Sequence, residues 1–352
     1  MSGRRIRKRT RWIAASALVV AAILLVGVLK VRNLPYVGVI QTLWSIGLYA
    51  VRLNGEPRRA DFSPLEGNPI ITAAFLGIED AHYVADPFLV HASGKNYLFF
   101  EILSSAGGAI GLASSTDGRR WHYHGVVLAE PFHLSYPHVF KWQDKFYMVP
   151  ESEESGSVRL YEAVEFPLSW RFDRVLHTGP ALADPTVFSH DGRWWMFAAV
   201  GIRDLHLFHA AALQGPWRPH PANPILKNAP EAARPGGAVV RSGGKLYRIA
   251  QNCKPAYGTA VRAFEITTLT ETAYAEREVA DSPLLSGTGS GWNADGMHHL
   301  SIQQIEPDSW LAVADGRRSQ PDYIYLGAAR IHVPKAVVTA YKWLRSHLDS
   351  EE

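Results

Sequence analysis

The 352-residue chain has one cysteine, Cys253, and only 20% of its residues are charged. A single thiol excludes an internal disulfide framework and any cysteine-held metal cluster, and it leaves the compartment undecided. The net charge is only +3, and much of the Lys and Arg excess lies in the first eleven residues. The body therefore lacks the basic surface that nucleic acid requires, and no nucleic-acid partner is expected. Helical periodicity is scarce beyond residue 80, and neither a P-loop nor a nucleophile elbow occurs. Gly287, Gly289 and Gly291 lack a strand-to-helix context, so they read as a loop and not as a phosphate cradle.

What is present begins with a membrane signal. Arg4, Arg5, Arg7, Lys8, Arg9 and Arg11, in a basic tail over 1–11, precede an uncharged apolar run over 12–29. At 1.5 Å per residue the run spans roughly 27 Å, close to the hydrocarbon thickness. The basic flank should stay cytoplasmic, so the expected product is a single-pass protein whose body is periplasmic or external. A cleaved signal peptide is the competing reading. Residues 30–43 read as a linker. A second span over 36–51 would reverse the topology, but Gln41, Thr42 and Ser45 interrupt it, and Trp44, Ile46, Leu48 and Ala50 alternate at period two as in a strand.

Beyond residue 80, short aromatic and β-branched runs alternate with Gly, Asp and Ser turns, which indicates an all-β body. A repeat runs through it. Asp86-Pro87, Tyr136-Pro137, Asp184-Pro185 and Arg234-Pro235 start equivalent segments, spaced 50, 48 and 50 residues apart. Each continues through a turn to a second run ending at Glu101, Glu151, Ala199 or Gln251. A degenerate fifth copy runs from Met297-His298-His299 to Asp315. Five copies with four strands each predict a five-bladed β-propeller over 44–333, with proline at the start of each first strand because it has no ladder donor. Residues 334–352 read as a short amphipathic helix and tail, packed on the propeller or lying against lipid.

Hairpin geometry places the start of the first strand beside the end of the second. Asp86 should neighbour Glu101, Tyr136 should neighbour Glu151, Asp184 should neighbour Ala199, and Arg234 should neighbour Gln251. If the first strands line the axis, these positions ring one mouth of the central channel. Glycosidic bond chemistry needs two carboxyl groups, one acid and one base or nucleophile. Asp86 suits the base or nucleophile and Glu151 or Glu101 the acid, with Asp184 orienting substrate. Tyr136, His138, Arg159, Arg234, Gln251, Tyr257, Trp292 and His298 are the candidate substrate-binding groups. The bland alternatives are an Asp that caps its turn before proline, an intramolecular ion pair for Arg159 or Arg234, and blade packing for the aromatics. His133, His138, His298 and His299 have no recognised ligand spacing, so no metal or cofactor is expected.

Several blocks, including Val84-Ala-Asp-Pro-Phe, Tyr147-Met-Val-Pro-Glu-Ser, Ala233-Arg-Pro-Gly-Gly and Gly291-Trp-Asn-Ala-Asp-Gly-Met-His-His, resemble the N-terminal domain of plant glucosamine inositolphosphorylceramide transferase and its stand-alone bacterial relatives. More distantly, the Asp-Pro starts resemble the five-bladed propellers of glycoside hydrolase family 43. The latter resemblance implies a base at Asp86. It does not carry the whole catalytic set, because Tyr136 stands where family 43 has a second Asp and Ala199 lies nearest its acid Glu. Asn252 also replaces an Asp usual in the transferase family. In the plant proteins the nucleotide-sugar transferase domain lies C-terminal to the similar region, so that activity is not implied here. Two functions follow as expectations: a membrane-anchored protein that hydrolyses or transfers glycosyl groups of a glycolipid or surface polysaccharide, or a non-catalytic sugar-binding module beside such machinery.

Overall fold

Turn pairs such as Ser93-Gly94 and Asp191-Gly192 have positive φ at both residues (51° and 72°, 49° and 72°). That geometry matches the twist of antiparallel strands and closes tight hairpins. The computed structural model describes residues 37–40, 43–306, 309–318, 323–326 and 329–332. The expected anchor at 12–29 and the expected C-terminal helix at 334–352 lie outside these residues. Among the described residues no helix is long and apolar enough to cross a membrane.

The repeats fold as five antiparallel sheets of a β-propeller. Blade one contains Ala81–Ala92, Lys95–Ser104, Gly107–Ser115 and His122–Leu128 in sequential order. Blade two contains Ser135–Trp142, Lys145–Glu151, Ser157–Glu165 and Ser169–Thr178, and blade three runs from Ala183–His190 and Arg193–Val200 to Asp204–Ala210 and Arg218–Pro219. Blade four is built on Val240–Ser242, Lys245–Asn252, Ala260–Leu269 and Tyr274–Glu278. In blade five Leu300–Glu306 and Ser309–Arg318 are completed by Leu43–Val51 and Phe62–Pro64, so the start of the propeller closes the ring. The alternating stretch at Trp44 is thus a strand, and the first strands of neighbouring blades one, two, three and five contact one another around the axis.

Each junction between blades holds its own apolar core, because both faces of every inner strand are covered. Ile46 and Leu48 of blade five meet Leu98 and Phe100 of blade one. Phe99 and Leu112 meet Val139 and Met148 between blades one and two, and Val149 and Leu160 meet Met196 and Phe208 at the next junction. Phe197 and Leu207 pack with Leu246, and Ile249 and Val261 pack with Ala312 and Tyr49. Removing a large side chain from water here contributes about 1.5–3 kcal/mol.

The compact propeller unit runs from residue 44 to 318. Val37–Ile40, Tyr323–Leu326 and Ala329–His332 form a separate three-stranded antiparallel sheet.

Proline placement differs from expectation. Blade one's first strand starts at Ala81, so Pro87 is interior to it. The ladder pairs Ala85 with Glu101 and next Phe88 with Phe99, leaving Asp86 and Pro87 in a bulge. The same break separates Ser135 from His138 and Ala183 from Thr186. A bulged residue has no ladder partner, so the missing N–H is tolerated in mid-strand.

Candidate active site at the propeller axis

The bulges create the site. Asp86, Tyr136 and Asp184 have φ of 51°, 44° and 51°, a left-handed conformation that costs non-glycine residues on the order of 1–3 kcal/mol each. Bulges redirect side chains, and here the same device recurs at one position in three blades. The hairpin pairings hold as well: Ala85 faces Glu101, Ser135 faces Glu151, Ala183 faces Ala199, and the Gln251 amide donates to the Arg234 carbonyl at 2.9 Å.

Asp184, 1% exposed, accepts from Arg234 Nε (2.5 Å) and Nη2 (3.3 Å) and from Gln251 Nε2 (2.8 Å). Glu151 accepts from Ser135 Oγ and from the Glu153 amide, both at 2.8 Å. Glu101 Oε1 lies 3.5 Å from His133 Nε2. Asp86 Oδ2 accepts from the Tyr136 amide at 3.2 Å, whereas its buried Oδ1 has no hydrogen-bond partner. That oxygen lies 3.4 Å from His298 Nε2 and 3.8 Å from His299 Nδ1. The Tyr136 hydroxyl shares a 2.7 Å bond with Thr186 and accepts from the Gly237 amide at 2.9 Å, tying blade two to blades three and four.

Burial controls the electrostatics. It pushes Asp86 up to about 7 against the opposing pull of His298, and Glu151 up to about 7 with help from Asp184. Glu101 is raised well above its ordinary value by burial and by the negative charge of Asp86 and Glu151. For His298 burial opposes charge, yet Asp315, with Asp86 and Asp184, outweighs it and holds the imidazole above its ordinary value.

Sequence reasoning missed Asp315. It is fully buried, and it accepts from His298 Nδ1 (2.7 Å) and from the amides of Asp86, His298 and His299 (3.0, 3.1 and 3.0 Å). It lies on the second strand of blade five, at the counterpart of Glu101 and Glu151, so the repeat held the signal. Asp86, His298 and Asp315 also bring ligand-type atoms within 4.8 Å of one another; as placed, the imidazole bridges the two carboxylates.

Arg234 is half-buried, and its guanidinium lies 5.4 Å from the centroid of Tyr257. The Tyr257 ring, 39% exposed, stands edge-on to His298 at 5.2 Å, and Trp44 covers His298 at 4.1 Å. The open part of the mouth is therefore aromatic and cationic above a carboxylate floor.

Three expected substrate-binding residues are engaged elsewhere. Arg159 lies between the rings of Phe132 (4.9 Å) and Phe172 (5.1 Å) and donates to Ser155 and Ser157, within blade two and its flanking loop. Trp292 packs against the backbone at Gly47 and Gly316, where an added Cβ would meet its ring at 2.4 Å. His138 accepts from the Val187 amide at 3.1 Å, and burial pushes its pKa down to about 3, so it is a neutral packing residue.

The family model described as "Glucosamine inositolphosphorylceramide transferase 1, N-terminal" matches residues 55–317. Glucosamine inositolphosphorylceramide transferase 1 of Oryza sativa subsp. japonica is 35% identical over 298 residues, covering 78% of this chain and 40% of the relative. The Arabidopsis thaliana protein of that name is 37% identical over 266 residues, covering 71% and 34%. The chain thus spans two-fifths or less of these relatives' length. Among solved structures, the catalytic domain of the Coprinopsis cinerea GH62 α-L-arabinofuranosidase superposes with a TM-score of 0.52 at 13% identity, covering 77% of this chain and 97% of that one. At that identity the likeness shows the fold alone. The match over most of the propeller places this chain in the glucosamine inositolphosphorylceramide transferase 1 N-terminal family.

Proposed function

We propose that this is a carbohydrate-active protein, held at a membrane by residues 12–29 with its propeller on the extracytoplasmic side, which hydrolyses or transfers a glycosyl group of a glycolipid or surface polysaccharide at the axial mouth. The observation that carries the reading is the buried Oδ1 of Asp86, which accepts no hydrogen bond, in a cluster where a second carboxyl, Glu151, is also poised near neutrality. Two such groups can divide the roles of acid and base. In this scheme Glu151 gives its proton to the leaving oxygen as the glycosidic C–O bond breaks. Asp86 receives the proton of the attacking water or hydroxyl as the new C–O bond forms. Asp184, held by Arg234 and Gln251, orients rather than reacts, and the exposed face of Tyr257 offers a stacking surface for a sugar ring. The relatives are named for a transferase of a glucosamine inositolphosphorylceramide, which favours a glycolipid.

A second reading, sugar recognition without turnover, is favoured by the engagement of Asp184 and Asp315 in ion pairs. Assaying cleavage and transfer across a panel of glycolipids and oligosaccharides separates the two. Asp86→Asn and Glu151→Gln should each lower turnover by about 10²-fold or more. Turnover unchanged in both variants would sink the site assignment, and saturable binding without turnover would establish the second reading. A reporter fused at the C-terminus tests the topology, and a cytoplasmic signal would overturn it.

A further inference from the structure

The hairpin turns of the inner strands lie at the end of the blades away from the axial carboxylates. In blade two Ser135 faces Glu151 at the mouth, and Trp142 faces Lys145 beside the turn. Seven residues of extended chain separate the two ends by about 23 Å. Between the turns of blades two, three and four is a groove of about 650 Å³, a size suited to a small ligand or a short oligosaccharide.

We propose that this groove is a second binding site, for an acidic glycan, in which a sugar ring lies against Trp142 and its carboxylate or phosphate meets Arg241. Trp142 is half-buried and lines the groove, and the buried Trp194 braces it edge-on, with centroids 5.0 Å apart and rings at 90°. A ring fixed in this way loses little freedom when a ligand lands on it. The charges along the groove are unequally compensated. Arg193 pairs with Glu271, and His190 Nε2 lies 3.3 Å from Asp191. Arg241, on blade four, donates to the Ser189 carbonyl of blade three and has no carboxylate partner among the described residues. Its remaining donors form a fork suited to a carboxylate or phosphate. A ring platform beside one uncompensated guanidinium selects a sugar that carries negative charge. Such a site would hold an acidic glycan without occupying the axial mouth, so it stands independently of the chemistry assigned there.

Titration calorimetry on the full chain in detergent, with tetragalacturonate, mannose 6-phosphate and neutral cellotetraose as probes, tests the site. At least one acidic probe should bind, with cellotetraose weaker by about tenfold or more, and the two acidic probes report whether carboxylate or phosphate is preferred. Trp142→Ala and Arg241→Ala should each weaken the acidic probe by about tenfold, and added salt should weaken it further. Asp86→Asn should leave this binding unchanged. Arg241 is exposed, so its variant keeps the test valid if Trp142→Ala fails to fold. Absence of saturable binding by both acidic probes, equal affinity for cellotetraose, or loss of binding in Asp86→Asn with retention in Arg241→Ala overturns the proposal.

Discussion

Asp184 and Arg234, fifty residues apart and at the same position of consecutive blades, form an ion pair that joins blade three to blade four, with Nε 2.5 Å from Oδ2. An internal repeat has here become a bond between its own copies. Arg234→Ala leaves the 1% exposed carboxylate of Asp184 with Gln251 as its remaining side-chain donor. Removing one partner of a buried pair should cost about 3 kcal/mol or more. Chemical denaturation of the variant checks this, and an unchanged midpoint would contradict it.

Asp315 should control the protonation of His298. With Asp315→Asn, burial opposes charge on the ring without the main compensating carboxylate. The His298 imidazole should then titrate lower than in the wild type, with Asp86 and Asp184 as the remaining carboxylates that favour its charge. Ring-nitrogen NMR titration of wild type and variant reads the change, and the expected direction is downward.

Glu151 predicts a pH-dependent stability. Its folded pKa of about 7 exceeds its ordinary 4.5, so the folded state binds more protons between those values. The associated stabilisation is full below pH 4.5 and is lost as the pH rises through 7. Glu151→Gln, which stays neutral, should match wild type near pH 4 and exceed it near pH 8 by on the order of 2–3 kcal/mol. Denaturation curves at the two pH values provide the comparison.

Tyr136→Phe keeps the ring against Phe88 and His299 but removes the acceptor of the Gly237 amide. A buried N–H left without a partner should cost about 1–3 kcal/mol. Thr186→Val, which spares the bond to Gly237, should cost less, and thermal melts of the two variants order them.

Much of this site was legible because the repeat is encoded locally. The spacing of Asp86, Tyr136, Asp184 and Arg234 located four blades, and hairpin logic supplied their neighbours Glu101, Glu151, Ala199 and Gln251. The fifth blade lacks the proline marker, so Asp315 was passed over although it lies on the equivalent strand. Trp44 reaches His298 only because the ring closes between residues far apart in sequence, a relation no repeat records. Arg159 and Trp292 were misplaced for a different reason: residue type suggests what a side chain can bind, but packing decides where it points. Phe132 and Phe172 hold the one, and Gly47 and Gly316 admit the other.

The closure of blade five also sets a timetable for synthesis. Trp44, Ile46, Leu48, Tyr49 and Val51 are buried in the finished ring, yet their strand pairs with Ser309–Arg318, made roughly 250 residues later. At translation rates of about 5–20 residues per second, this apolar segment waits on the order of 10–50 s for its partner. During that interval the nascent chain carries an unpaired, aggregation-prone edge upstream of the other blades.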